Sequence, residues 1–432
     1  MKAIMRDAAE LKDSCIEWIG NIPSSWHIMK ISRLFELIGS GTTPKSTREE
    51  YYNGTINWLQ SGDINGGYVN FTDKKISKDI CENNTALTIY APPFIAIAMY
   101  GASIGNISIV DIEACTNQAC CVLSCPNEMM NLNYLFYQLK SAKDEMLLSS
   151  RGGTQPNISQ AIIRQMRVVV PSYKEQQYIA NYLDDRCSKI DAIIAEAKAS
   201  IDEYKELKQA VIYEAVTKGL DKNVEMKDSG VSWMGNIPSH WEQSTVLRCI
   251  EFSGGSQPPA SEFIDQPAEG YVRLIQNRDY RTDDYETYVP LKSVTKFCTV
   301  DDVMIGRYGP PVFVIHRGIE GAYNVALMKA VPLLLDREFM YYYLQNYTLI
   351  KYVESFSLRA AGQSGVNTEI LRRYPLFIPP MDEQIAIANY LKTKMSEFDK
   401  VISIKQSLIE DLESYKKSLI YEVVTGKRKV VA

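Results

Sequence analysis

Three short stretches carry residue types that could do chemistry, and each lacks a group that the chemistry needs. Gly39-Ser40-Gly41-Thr42-Thr43-Pro44-Lys45-Ser46 approaches a phosphate-binding Gly-x-x-x-x-Gly-Lys-Ser loop. Pro44 stands where the second glycine belongs, and proline has no N–H to give a phosphate and cannot take positive φ. Ala91-Pro92-Pro93-Phe94 has the Pro-Pro-aromatic core used in methyl transfer to an amino group. That chemistry needs a side-chain carbonyl ahead of the prolines to accept from the target amine; Ala91 has none, and no Gly-rich loop for a methyl donor precedes it. The stretch reads as a turn before a buried strand. Cys115, Cys120, Cys121 and Cys125 cluster without the Cys-x-x-Cys pair that zinc sites favour, so they read as strand thiols. His27, His240 and His316 are dispersed, and no nucleophile–base set or nuclease-type carboxylate–lysine set emerges. The chain is expected to hold no catalytic site, cofactor or metal of its own.

The remaining candidates suit recognition rather than catalysis. Thr42, Lys45 and Arg48 lie on a loop that could contact a nucleic-acid backbone or bases, or form a solvated turn. The matching loop Ser253-Gly254-Gly255-Ser256-Gln257-Pro258 carries Gln257, a residue able to read adenine bidentately. Two Gly-bearing loops each combine an Arg with a Gln and an Asn: Arg151, Gln155 and Asn157 in one, Arg359, Gln363 and Asn367 in the other. That composition fits a groove-reading loop, with a helix cap or structural turn as the alternative. Arg273, Arg278 and Arg281 form a basic stretch beside Tyr271 and Tyr280, suited either to phosphate or base contact or to a solvated strand. Tyr100, Arg307 and Tyr308 complete the set.

Charge argues against a simple nucleic-acid binder. The formal net charge is −5 over 432 residues. Residues 27–150 carry 9 Lys/Arg against 12 Asp/Glu, a net of −3, and residues 242–373 carry 14 against 16, a net of −2. Any DNA reading must therefore use local basic loops, with a partner supplying much of the affinity. No apolar run reaches the roughly 18–20 residues of a membrane span. The charged stretch Met1–Ser14 does not resemble a secretory signal, and nine irregularly spaced cysteines suit reduced thiols, so a cytoplasmic location is expected.

The elements that would position these loops are given by an internal repeat. Lys12–Trp26, containing Trp18-Ile19-Gly20-Asn21-Ile22-Pro23, recurs as Lys227–Trp241 at an offset of 215. Glu175–Leu183 recurs as Glu383–Leu391 at an offset of 208, which holds without slip as far as Thr217 and Thr425. A gap-free match of this length points to one rigid element. Apolar residues recur in heptads at Leu183, Ile190, Ala197, Tyr204 and Val211, and again at Leu391, Phe398, Leu412 and Leu419. Lys208, Lys405 and Lys416 interrupt the seam. Neither stretch contains Pro or Gly, so each reads as a helix on the order of 65 Å long. Amphipathic helices packed on separate cores are the plainer alternative; the shared register favours an antiparallel coiled coil.

The segments between the connectors are strand-rich. Thr55–Gln60, Phe94–Met99, Ile104–Val110, Tyr271–Ile275, Val303–Gly306 and Val312–His316 read as strands, and Asn131–Leu148 and Arg337–Val353 as helices. The expected class is α+β: two strand-rich domains joined by two long antiparallel coiled-coil helices, with an internal pseudo-two-fold. The expected boundaries are 1–173 for the first domain, 174–218 for the first connector, 219–381 for the linker and second domain, and 382–432 for the second connector and tail. Similar connectors beside divergent globules suggest one kind of partner met twice and two different things recognised.

The order Trp-x-Gly-x-Ile-Pro-x-x-Trp, variable globule, Pro-x-x-x-Glu-Gln-x-x-Ile-Ala-x-Tyr-Leu (one residue shorter from Pro380), long helix, twice over, resembles the specificity subunit of type I restriction-modification enzymes. The resemblance covers nearly the whole chain. It implies two target recognition domains, each reading half of a bipartite sequence in double-stranded DNA. It also implies helices that set the gap and dock two methyltransferase subunits, which carry a methyl group from S-adenosylmethionine to adenine N6. A motor-nuclease subunit can join such complexes. A coiled-coil scaffold with protein-binding globules is the competing function.

Overall fold

The computed structural model describes residues 1–150, 157–309, 311–356, 358–360 and 363–431, with the backbone alone for 358–360 and 363–364. The chain divides into two compact units, Met1–Ala197 with Ser407–Ala432, and Lys198–Gln406. The divisions fall inside the two long helices, Tyr173–Lys218 and Met381–Val424.

In the first unit a five-stranded sheet is built from β1 (Phe35–Gly39), β3 (Tyr68–Val69), β4 (Phe94–Ala98), β5 (Ile107–Val110) and β7 (Cys120–Pro126), in the order β1-β7-β4-β5-β3. A second sheet pairs β2 (Ile56–Leu59) in parallel with β6 (Ala114–Thr116). Strands β4, β5 and β6 are buried along their whole length, which explains the unbroken apolar sequence of β4 in place of period-2 alternation. The expected Ile104–Val110 strand begins later, because Gly105 at φ +74° completes a turn before it. The helix expected over Asn131–Leu148 is two helices, Leu132–Ser141 and Lys143–Leu148.

The second unit repeats the plan. Strands β8 (Ile250–Gly254), β10 (Val303–Gly306), β11 (Val314–His316) and β13 (Leu327–Pro332) form a sheet in the order β8-β13-β10-β11. Strand β9 (Tyr271–Ile275) pairs in parallel with β12 (Gly321–Tyr323), as β2 does with β6. The helix expected over Arg337–Val353 breaks into Arg337–Leu344 and Tyr347–Ser355, because the Asn346 carboxamide accepts from the Thr348 N–H and starts a new helix.

Each unit contains part of both long helices. In the first unit the buried seam runs through Leu183, Cys187, Ile190, Ile194 and Ala197, with Leu419 and Val423 from the other helix. In the second, Tyr204 lies beside Lys405 and Lys208 beside Asp399, so the numbers fall on one helix as they rise on the other and the pair is antiparallel. The lysines that interrupt the heptads are each matched: Lys208 by Asp399, Lys416 by Asp191 at 2.6 Å, and Lys405 by the Tyr204 ring at 6.0 Å. Stem burial with a paired head lets a lysine occupy a seam position.

The repeated sequence motifs meet at a junction in each unit. In the second, the Trp241 indole N–H donates to Glu383 in the first turn of its helix (2.9 Å), and Gly219, ending the other helix at φ +73°, lies against the same ring. In the first, Trp26 donates to Glu175 (3.4 Å), and Gly426 at φ +77° closes the other helix against Pro23 and Trp26. Both indoles are 1% exposed. Such burial removes on the order of 200 Å² of apolar surface from water, about 5 kcal/mol each. The adjoining Gln176 and Gln384 are buried and repeat one bonding pattern. Gln176 donates to the Pro171 carbonyl (3.0 Å) and accepts from the Asn131 N–H; Gln384 donates to the Pro379 carbonyl (2.9 Å) and accepts from the Asp336 N–H.

A Cβ at Gly426 would lie 2.4 Å from Pro23, whereas at Gly219 the nearest atom is 3.2 Å away. Gly219→Ala should therefore cost about 1 kcal/mol and Gly426→Ala about 2–4 kcal/mol in denaturant unfolding. Equal losses would contradict the close approach at Pro23.

Candidate nucleic-acid interface

In each unit the candidate residues gather where several strands end together. In the first, β1 ends at Gly39 and β7 begins at Cys120 against the end of β4. The Gly41 N–H donates to the Asn117 carbonyl (3.3 Å), the Asn117 N–H to Leu59 at the end of β2 (3.0 Å), and the Ile158 N–H to Met99 (2.8 Å). These bonds bring together the loop of Thr42, Lys45 and Arg48, the turn of Tyr100, and Asn157. Lys45, Arg48 and Asn157 are exposed; Thr42 and Tyr100 are half-buried. Arg48 lies over the Tyr51 ring at 5.5 Å with Glu50 at 3.8 Å. Arg151 and Gln155 lie outside the described residues.

The second unit builds the same end. The Gly255 N–H donates to Leu327 (3.1 Å), Ser256 to Tyr323 (3.1 Å), Asn324 to Ile275 (3.0 Å), Arg307 to Ala326 (2.9 Å) and Val366 to Arg307 (2.9 Å). Gln257 and Tyr308 are exposed here, and the Arg307 guanidinium donates to the Val325 carbonyl (3.3 Å) while lying over the Tyr308 ring at 5.5 Å. Asn367 caps the turn Thr368–Arg372 by accepting from the Glu369 N–H (3.1 Å). The backbone of Arg359 and Gln363 forms an antiparallel hairpin next to Tyr308; their side chains lie outside the described atoms.

The three-arginine stretch separates. Arg273 is held by Asp283 (3.0 Å) and Glu286 (2.9 Å), so its charge is neutralised within the fold. Arg278 faces Asp279 (3.8 Å), the Tyr285 carbonyl (3.3 Å) and the Tyr285 ring (5.4 Å). Arg281 is exposed.

Several residues that shape this end carry no signal read above. Gly41 and Gly255 are required by close approach: a Cβ would sit 1.7 Å from the Thr116 carbonyl and 2.1 Å from the Asn324 carbonyl. Gln60 and Asp63 cap the turn after β2 in a reciprocal box, and Gln276 and Asp279 do the same after β9. Burial pushes both aspartates up from the ordinary carboxylate range. The spacing Gln-x-x-Asp after a β-rich run was the available sequence signal. Asn117 and Asn324 each accept from the N–H two residues on, fixing the turns between.

Residues of each near-miss stretch are built into the fold. Pro44 is buried and its carbonyl accepts from Tyr52 (2.7 Å). Phe94, after the double proline, begins β4 in the core. Cys115, Cys120 and Cys121 are buried strand residues, and desolvation pushes the Cys120 and Cys121 thiols up to about 12.

Fold and site together define a duplicated α+β recognition protein: one loop cluster built twice, with different side chains, on equivalent Trp–Glu junctions. A family model for the type I restriction modification DNA specificity domain matches residues 23–203 and 275–414, and the chain belongs to that family. It is 23% identical over 428 residues to the type I restriction enzyme MjaVIII specificity subunit of Methanocaldococcus jannaschii, covering 95% of this chain and 94% of that one. It is 21% identical over 448 residues to the EcoKI specificity subunit of Escherichia coli, covering 94% and 90%. Among solved structures, a chain from a type I R-M system aligns with TM-score 0.72 at 14% identity, covering 94% of this chain and 99% of that one. The HsdS subunit of Thermoanaerobacter tengcongensis aligns with TM-score 0.50 at 14% identity, covering 94% and 98%. Among the described residues no helix is long and apolar enough to cross a membrane.

His316 supplies a pH test of the second cluster. Burial, then the charge of Arg281, pushes its pKa down to about 4. The unfolded chain binds that proton below about 6.5, so the stabilisation is present above about pH 6.5 and lost as pH falls towards 4. Between about pH 7 and about pH 4.5 the wild type should lose more of its unfolding free energy than His316→Phe does; parallel losses would show that His316 is not held neutral.

Proposed function

We propose that this chain reads a bipartite double-stranded DNA target, each loop cluster taking one half, while the long helices set the gap and dock two methyltransferase subunits. Those partners bind S-adenosylmethionine and methylate adenine N6, and a motor-nuclease subunit can join. The observation that carries the reading is the duplication with divergence: one strand-end cluster, fixed by equivalent backbone bonds in both units, presents Thr42, Lys45, Arg48, Tyr100 and Asn157 in one and Gln257, Arg281, Arg307 and Tyr308 in the other. Arg151, Gln155, Arg359, Gln363 and Asn367 are assigned to DNA contact by their residue types, with Arg273 and Arg278 bracing the second cluster. Hydrogen bonds and stacking suit base recognition in a protein whose net charge of −5 gives little general attraction to phosphate. The methyltransferases supply the rest of the affinity.

The test is to co-express the chain with the methyltransferase encoded beside its gene in a methylation-free host and map N6-methyladenine. One bipartite motif with a fixed gap, absent without this chain, is the expected result. A stable complex that leaves the genome unmethylated would contradict it. One heptad added to each long helix extends it by about 10 Å, so the gap should lengthen by about 3 base pairs; an unchanged gap would rule out the helices as the spacer.

A further inference from the structure

We propose that the Asn277 side-chain amide, fixed in orientation by His316, is a base-reading hydrogen-bond donor of the second domain, selecting an acceptor on a base edge such as purine N7, guanine O6 or thymine O4. The inference rests on the DNA-reading function and names one determinant of its specificity. Asn277 opens the turn Asn277–Tyr280 directly after β9. That turn stands at the strand-end cluster, because the Asn277 carboxamide packs against Gly306, the residue before Arg307. A Cβ on Gly306 would lie 2.7 Å from Asn277 Oδ1, so glycine there leaves the space the carboxamide fills.

The carboxamide presents its oxygen to His316. His316 Nε2 lies 2.9 Å from Asn277 Oδ1. The imidazole lies flat on Tyr280, with ring centroids 4.3 Å apart and planes 8° from parallel. Burial and Arg281 hold the ring neutral, with one N–H. An amide oxygen can only accept, so Nε2 carries that hydrogen and donates it to Oδ1. The amide nitrogen is left with both protons and no hydrogen-bond partner among the described residues. Its neighbour Arg278 is already engaged by Asp279 and Tyr285. The free amide nitrogen of the turn is therefore a neutral donor held in place. Such a group adds little attraction to phosphate but discriminates acceptors from the amino groups of adenine and cytosine. Pre-organisation by stacking and hydrogen bonding strengthens the discrimination, since little order remains to be lost on binding.

The test uses the full-length chain with its methyltransferase and reads methylation at genomic sites that differ from the motif by one base. Asn277→Asp keeps the shape but replaces the donor with an acceptor. It should shift or relax the preference at one position of one half-site by about tenfold, leaving the other half-site and the gap unchanged. His316→Phe keeps the stack on Tyr280 and removes the N–H; it should relax that same position. Preferences unchanged in both variants, or uniform weakening at every position, would overturn the proposal. If Asn277→Asp abolishes methylation altogether, His316→Phe decides, by relaxing that single position or leaving it as in the wild type. A wild-type complex that directs no bipartite methylation would instead overturn the DNA-reading function itself.

Discussion

Each half of the molecule is organised around a buried indole whose N–H ends on a glutamate. Trp26 with Glu175, and Trp241 with Glu383, tie a strand-rich domain to the first turn of one long helix, while Gly426 or Gly219 brings the end of the other helix against the same ring. A desolvated N–H must be satisfied, and a carboxylate at a helix N-terminus is stabilised there by the helix dipole, so one contact serves both needs. The buried glutamine beside each glutamate locks the helix to the domain by a second, directional contact. Domain orientation is thereby coupled to helix geometry, which a protein needs if it is to hold a reading surface against a rigid duplex.

The seam between the long helices shows how such a device tolerates polar positions. Lys208, Lys405 and Lys416 break the heptad pattern, yet each reaches an aspartate or an aromatic ring within its own unit. Replacing apolar knobs with matched lysines weakens packing but fixes register, since a slip would leave a half-buried ammonium without its partner.

How much of this was legible depended on whether the determinant was local. The long helices were visible from absent Pro and Gly, heptads and a gap-free repeat, and the structure gives them as Tyr173–Lys218 and Met381–Val424. The helix expected over Arg337–Val353 was misjudged because Asn346 caps a new helix inside an otherwise helical pattern. At the strand-end clusters, composition singled out loops that the fold gathers, but pairing is a three-dimensional property. Arg273 and Arg281 look alike in sequence; only the fold commits one to Asp283 and Glu286 and leaves the other exposed. Asn277 and His316 are 39 residues apart and meet only in the fold, where the turn after β9 reaches the last residue of β11. Gly41 and Gly255 could be noticed as loop glycines, but not as positions where a carbonyl from another strand leaves no room for a Cβ.

The account's central claim is that two equivalent frames carry two independent readers. The most direct test replaces the second reading domain, residues 242–378, with the first, residues 27–170, leaving both Trp–Glu junctions and both long helices intact. Co-expressed with the methyltransferase, this chain should direct methylation to a bipartite motif whose halves carry the same bases, those of one half of the wild-type motif. A stable complex that still methylates the wild-type motif would show that the exchanged residues do not select the sequence, and the account would fail.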